Sequence, residues 1–287
     1  MTCFYPMKAL RSASGGVQFV GAEAVTWNLK LPCGQCRGCR LERSRQWAVR
    51  CMHEISLHDQ NCYVTLTYGE SLSNRSLVYK DFRLFLRRAR RELGPLRFYV
   101  GGEYGSDFAR PHFHSILFGV DFPDREHWCQ SPAGFDLDRS AVLERLWPHG
   151  FSSVGDATFE SAAYVARYLM KKVNGDEALD HYLDRESGEL RVPEFNRMSL
   201  RPGIGADWLR LYWKEVILKG TVVVRGVEAG APRYYLKKIQ ELEAWSSISK
   251  QRRAEMLASL KDNTRQRLDA KEAVCEAKVG LLKRSIT

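Results

Sequence analysis

At 287 residues the chain is long enough for one elaborated domain or two small ones, and its 44% apolar content is enough to bury a core. Lysine and arginine outnumber aspartate and glutamate by 44 to 34, and the net charge of +10 points to an anionic partner, nucleic acid before a membrane. The opening MTCFYPMKAL lacks the apolar core of a signal peptide, and no run approaches the roughly 20 apolar residues of a membrane helix. A secreted disulfide scaffold is therefore set aside, and the eight cysteines are expected as reduced thiols in a cytoplasm.

Residues 1–32 are irregular, with Gly15 and Gly16 between two possible short strands. Cys33, Cys36 and Cys39 then form a C-x2-C-x2-C array in LPCGQCRGCR, where glycines supply tight turns that let thiolates converge. A structural zinc wants four ligands, and Cys3 is the expected fourth, with Cys51 or His53 in reserve. Three closely spaced cysteines also suit an iron–sulfur cluster, or stay unliganded. Residues 41–58 read as a basic helix, in which Arg40, Arg43 and Arg45 are candidate phosphate contacts or simply a solvated face.

Asn61–Tyr68 (NCYVTLTY) reads as a strand on its β-branched and aromatic content. From Tyr79 the period changes to helix. Phe82, Phe85, Leu86, Ala89 and Leu93 share one face, and Arg87 and Arg88 are DNA-contact candidates on the other. The helix ends at Gly94-Pro95. A strand over 98–104, FYVGGEY, and a hairpin loop over 105–110 lead into PHFHSILFG. Side chains alternate across a strand, so His112 and His114 share a face and Phe113 takes the other. The hairpin folds Glu103 back beside them, and two imidazoles with a carboxylate can hold a divalent metal. Taken alone, a pair of histidines on a strand is more often incidental.

An acidic loop is expected over 121–136, a helix over 139–147, a strand over 150–154 and a helix over 159–173. The order β-α-β-β-α-β followed by a helix is the ferredoxin-like α+β pattern, an antiparallel sheet with helices on one face. In the last helix Tyr164 and Tyr168 lie at i and i+4, with Ala162, Ala163 and Ala166 keeping it slim. Aromatics at this spacing usually belong to a core, but Lys171 three residues later is harder to assign to packing. Beyond 174 the pattern weakens. An exposed helix and turn are expected over 181–192, a helix after Asp207, a hairpin over 222–235 turning at 228–231, and mixed-charge helix over 234–279, which lacks Gly and Pro.

These residues resemble the HUH endonucleases, and more closely the rolling-circle replication initiators of microviruses, the gokushovirus group. YVTLTY resembles that family's first motif, GGEYG with PHFHSILFG its histidine motif and acidic ligand, and YVARYLMKK its two-tyrosine motif. LPCGQCRGCR, WPHGFSSVGD and LRPGIG resemble gokushovirus features, and the likeness covers roughly residues 30–235. It implies an HUH endonuclease core at 61–175, a knuckle-bearing segment at 1–60, a family-specific extension at 176–235 and a charged tail at 236–287. It also implies Mg²⁺ or Mn²⁺ held by Glu103, His112 and His114. A phenolate attack from Tyr164 or Tyr168 would leave a 5′-phosphotyrosine, with Lys171 assisting and Lys172 in reserve. Single- and double-stranded viral origin DNA, host helicase and polymerase, and a site of action in the bacterial cytoplasm follow from the same likeness. The rival readings are a plasmid or transposon relaxase of the same class, and a non-catalytic zinc-containing nucleic-acid-binding protein.

Overall fold

The computed structural model describes residues 3–11, 16–19, 28–69, 76–105, 109–167, 172–173, 175–185, 187–240, 250, 254, 258 and 262–281. Three short strands open the chain: β1 (Met7–Arg11), β2 (Val17–Gln18) and β3 (Asn28–Leu31), followed by helix α1 (Arg37–Ile55). Next come β4 (Asn61–Tyr68), α2 (Tyr79–Leu93), β5 (Arg97–Tyr104) and β6 (Pro111–Phe118). Two strands, β7 (Glu126–Gln130) and β8 (Asp136–Arg139), precede α3 (Ala141–Leu146), β9 (Gly150–Asp156) and α4 (Phe159–Arg167). The remainder is α5 (Glu177–Tyr182), β10 (Phe195–Met198), α6 (Ala206–Lys219), the β11 (Thr221–Val224) and β12 (Val227–Gly230) hairpin, α7 (Arg233–Ile239) and α8 (Arg265–Gly280).

The chain forms two compact units. The smaller, Met1–Arg43 with Lys250–Leu282, holds an antiparallel sheet in the order β2-β1-β3, the start of α1, and α8. Within it the Arg265 guanidinium donates to the Phe4 carbonyl at 2.8 Å, and Tyr5 Oη donates to Glu272 Oε2 at 2.7 Å.

The larger unit, Ser44–Ser249 with Lys283–Thr287, is built on a seven-stranded sheet in the order β10-β5-β6-β4-β9-β8-β7. Every neighbouring pair is antiparallel. Its centre, β5-β6-β4-β9, is the strand order of a ferredoxin-like βαββαβ core. The α+β class read from the sequence is the one observed.

Alternation along these strands makes two different layers. Val64, Leu66, Tyr68, Phe98, Val100, Phe113, Leu117 and Val154 face α2 and α3 and are buried with Phe82, Phe85, Leu86, Ala89, Leu143, Leu146 and Trp147. The α2 face is the apolar stripe read from the sequence. Each large side chain buried there is worth roughly 1.5–3 kcal/mol. Trp147 satisfies its one polar atom by donating to the Thr67 carbonyl at 3.1 Å. These two crossover helices share one face, as the pattern predicts. The other face carries Tyr63, Tyr99, Ile116 and Phe118 and is covered by α4 and by Ala48 and Cys51 of α1.

Several sequence expectations change. Residues 121–136 hold β7 and reach β8 rather than forming a plain loop. Edge strands exposed on both faces lack the alternation that marks a half-buried strand. Arg125 pins this flank, meeting Asp138 at 2.7 Å, Asp156 at 2.9 Å and Asp121 at 3.0 Å. The hairpin expected to turn at 228–231 turns instead at Arg225 and Gly226, both with positive φ, as a two-residue hairpin requires. Residues 233–235 accordingly begin α7 instead of ending a strand. The helical expectation over 234–279 is broken at 262–264, where Thr264 caps α8 by accepting from the Arg267 amide. Strand β10 and the Arg37 start of α1 were also not anticipated, and Lys172 and Val173 lie outside the helix expected to reach 173.

Candidate active site

The site begins with register. Glu103 on β5 stands directly opposite His112 on β6, and Thr67 and Thr65 on β4 stand opposite His112 and His114. With a side-chain period of 2, Tyr63, Thr65, Thr67, Glu103, His112 and His114 all project from one face. Gly101 fills the position opposite His114 without a side chain, which leaves room between the strands. The hairpin closes through the Gly105 amide donating to the Arg110 carbonyl at 2.9 Å. A Cβ on Gly105 would lie 2.9 Å from His112 Nε2, so any other residue there would displace the ring.

The hydroxyls orient the imidazoles. Thr67 Oγ1 lies 2.9 Å from His112 Nδ1, while Tyr63 Oη and Thr65 Oγ1 lie 2.7 and 3.2 Å from His114 Nδ1. With both Nδ1 atoms held, Nε2 is the ring nitrogen presented inward, and that of His114 is 3.0 Å from Glu103 Oε1. The two rings are 6.0 Å apart, centre to centre. Glu103 and His114 are buried, at 4% and 1% exposure, so this carboxylate is removed from water beside imidazoles that can share a cation with it. Burial also pushes the Tyr63 phenol well above its usual range, with the Tyr164 phenol and Glu103 adding to the effect against an opposing hydrogen bond from Thr65. Tyr63 therefore remains a neutral hydroxyl partner of His114 rather than a phenolate.

Helix α4 roofs this face. Thr158 and Ser161 cap its start reciprocally, each amide donating to the other's hydroxyl, at 2.8 and 3.2 Å. Asn196 on β10 ties the helix to the sheet by donating to the Val165 carbonyl and to Tyr99 Oη, at 3.2 and 3.1 Å. Tyr164 consequently lies edge-on to His114, 5.4 Å between ring centres, and edge-on to Tyr63 at 6.5 Å. The Arg167 guanidinium is 5.7 Å from the Tyr164 ring. Tyr168 and Lys171 lie outside the described residues.

A second cluster lies in the smaller unit. The ligand atoms of Cys3, Cys33, Cys36 and Cys39 all fall within 4.8 Å of one another. Cys3 Sγ is 3.6 Å from Cys33 Sγ and 3.9 Å from Cys36 Sγ. Four sulfurs about 2.3 Å from a tetrahedral zinc sit about 3.8 Å apart, so the tetrad could hold a metal such as zinc. Burial alone would raise the Cys36 thiol, but the amides of Cys39 and Phe4 and the neighbouring thiols outweigh it and bring it down to about 7. A thiolate is then within reach near neutral pH, as metal ligation requires. The reserve ligands belong to the larger unit: Cys51 is fully buried, and His53 stacks on Trp208 at 3.5 Å.

The structure brings Glu103, His112, His114 and Tyr164 together, and separately the four cysteines. It does not bring the basic candidates to the histidines. Arg87 and Arg88 belong to α2, on the opposite side of the sheet, and Arg88 donates to the Leu146 carbonyl at 3.1 Å. Arg40 is half-buried and Arg43 exposed on α1, Arg45 donates to the Gly230 carbonyl at 2.9 Å, and Lys172 is half-buried. Tyr63, Thr65 and Thr67 were not singled out from sequence. Their alternation within YVTLTY was the available signal, but only the β4–β6 register shows which side chains they meet.

Comparison with known proteins places this geometry in context. Residues 61–173 match the family model for the replication-associated protein ORF2. The chain is 32% identical over 249 residues to the replication-associated protein VP4 of Bdellovibrio phage phiMH2K, covering 82% of this chain and 76% of that one. It is 32% identical over 224 residues to the replication-associated protein ORF2 of Spiroplasma virus 4, with coverage of 74% and 66%. It is 30% identical over 227 residues to the replication-associated protein ORF4 of Chlamydia phage 1, with coverage of 75% and 55%. The chain thus spans less than two thirds of the length of the last two relatives. No solved structure matches it.

Proposed function

This chain belongs to the replication-associated proteins of small phages of the microvirus, gokushovirus group, and from that premise we propose that it is an HUH-type endonuclease that nicks and rejoins the viral origin. The observation that carries the reading is the buried Glu103–His114 pair with His112 on the same strand face, roofed by Tyr164. Glu103, His112 and His114 would hold Mg²⁺ or Mn²⁺, the imidazoles favouring manganese and cellular abundance magnesium. Such an ion supplies Lewis-acid polarisation of the scissile phosphate.

The chain's own residues do the rest. Thr67 and Tyr63 fix the two rings, and α4 sets Tyr164 against the histidine face. A tyrosine oxygen forms the bond to phosphorus, the bond from phosphorus to the 3′ oxygen breaks, and that oxygen leaves with a proton as a 3′ hydroxyl. The 5′ phosphate stays on tyrosine, and a polymerase of the host can extend the freed end. Tyr164 and Tyr168 alternate: one carries the strand while the other cuts the regenerated junction. Lys171 stabilises the phenolate or the leaving oxygen, with Lys172 next to it. Arg40, Arg43, Arg45, Arg87 and Arg88 serve as phosphate contacts away from the chemistry. The enzyme would act on the double-stranded replicative form in the bacterial cytoplasm, alongside a host helicase. No described helix is long and apolar enough to cross a membrane.

Incubation with a labelled single-stranded origin and Mn²⁺ tests this. A covalent adduct should appear on a denaturing gel, map to both tyrosines under repeated turnover, and vanish in the Tyr164→Phe, Tyr168→Phe double variant. Adduct on one tyrosine alone would refute alternation, and no adduct would refute nicking. The cysteine tetrad is read as a structural zinc site, independent of the chemistry. Elemental analysis should find one zinc per chain, and Cys36→Ser should lower the melting temperature before it affects adduct formation.

A further inference from the structure

A cleft of about 700 Å³ lies in the larger unit, well away in sequence from the family-matched residues, between the loop at 200–203 and helices α6 and α7. Its lining is mostly apolar, with two aromatic rings, Trp213 and Tyr234, and three cations, Arg201, Arg210 and Lys238. No acidic residue lines it among the described residues. Arg210 pairs with Asp207 at 2.8 Å, but the guanidinium side chain is three-quarters exposed, so water and a phosphate compete easily for it.

The aromatic wall is rigid. The Arg50 guanidinium is sandwiched between the Trp47 and Tyr234 rings, 4.0 Å from each centre, and Trp47 stacks on Tyr99 of β5 at 4.8 Å. Arg50 is fixed in turn by donating from Nε to the Ile204 carbonyl at 3.0 Å. Gly203 completes the fit, since a Cβ there would lie 2.7 Å from Tyr234 Oη. A column of four stacked groups thus runs from the catalytic sheet to the cleft and holds Tyr234 in one orientation. Flat π faces held rigid beside mobile cations are the chemistry of single-stranded nucleic-acid binding, where bases stack in any sequence and phosphates meet the charges. Stacking on a pre-positioned ring also avoids the entropy of ordering it.

We propose that this cleft is a second DNA-binding site, taking an unpaired base of single-stranded DNA between Trp213 and Tyr234 with its flanking phosphates on Arg201, Arg210 and Lys238. It would retain the displaced strand while the histidine site works elsewhere on the same DNA. The inference rests on the reading above that the chain handles single-stranded DNA, and not on the tyrosine chemistry.

The test uses the full chain carrying His112→Ala, so that the strand is not cut, and the fluorescence anisotropy of a labelled oligothymidylate. Trp213→Ala should weaken binding about 5- to 150-fold, the range for loss of one stacked base, and Trp213→Phe should restore most of it. Arg201→Gln should reduce the salt slope by about 0.7, one single-strand phosphate contact. A strand with abasic sites should bind the parent weakly and be insensitive to Trp213→Ala. If Trp213→Ala melts early, Trp213→Leu, which fills the space without a ring, takes its place. Unchanged binding by a well-folded ringless variant, or equal loss on the abasic strand, overturns the proposal. Adduct formation by the wild type is scored separately: its absence defeats nicking alone, and unchanged binding defeats the cleft alone.

Discussion

The two faces of the central sheet are made by the same strands and could hardly differ more. On β6, Phe113 and Leu117 point to α2 and α3 in a layer of aromatic and aliphatic side chains, whereas His112 and His114 point the other way, toward Glu103, two threonines, Tyr63 and Tyr164. One face supplies the burial that holds the sheet against its helices; the other spends its buried positions on polar groups that satisfy one another. Such a division places titratable groups in a nearly dry site without weakening the core, because adjacent residues answer to different layers.

Neighbouring residues of one strand can break that comparison. His112→Ala is expected to cut adduct formation on the order of 10³-fold, the scale on which a single electrostatic stabiliser matters to phosphoryl chemistry. Its denaturation midpoint should shift by less than about 1 kcal/mol, because the residue is only half-buried and belongs to no apolar cluster. DNA affinity, dominated by arginine and lysine contacts to phosphate, should be nearly unchanged. A urea titration showing large destabilisation of this variant would mean that the polar face is structural after all.

Phe113→Ala is the mirror experiment. The ring is fully buried against Phe82, Trp147 and Tyr68, and its removal should lower stability by about 3–5 kcal/mol by urea unfolding. At a temperature where the variant remains folded, its adduct rate should stay within a few-fold of wild type. A rate collapse in fully folded protein would show that the apolar layer sets the catalytic geometry more directly than the division of faces implies.

The smallest change sharpens the polar side. Thr67→Val keeps the shape of the side chain and removes the hydroxyl that holds His112 Nδ1. Partners that orient metal-ligating histidines typically matter by about 10- to 100-fold in metal affinity. The Mn²⁺ concentration needed for half-maximal adduct should rise by that factor, while the rate at saturating Mn²⁺ stays close to wild type. An unshifted Mn²⁺ dependence would remove Thr67 from the site.

Much of this was determined by the sequence alone, for reasons of period. A strict alternation set His112 against Phe113, and the i, i+3, i+4, i+7 spacing of Phe82 to Ala89 marked the buried face of α2. The element order then specified a ferredoxin-like sheet, and the spacing of Cys33, Cys36 and Cys39 announced a cluster in which Cys3 proved to be the fourth member. These are local signals, carried by one helix or strand at a time. What only the tertiary structure decided depends on which elements meet. The pairing register gives Tyr63, Thr65 and Thr67 their imidazole partners, and α4 reaches the histidines because Asn196, on a strand not anticipated, anchors it. The flank strands β7 and β8 escaped notice because both their faces are largely exposed, and an exposed edge has no alternating pattern to read. Likewise no spacing connects Trp47, Arg50, Trp213 and Tyr234: they become a stacked column and a cleft wall only when α1, α6 and α7 pack together, since a contact between distant segments leaves no period in either one.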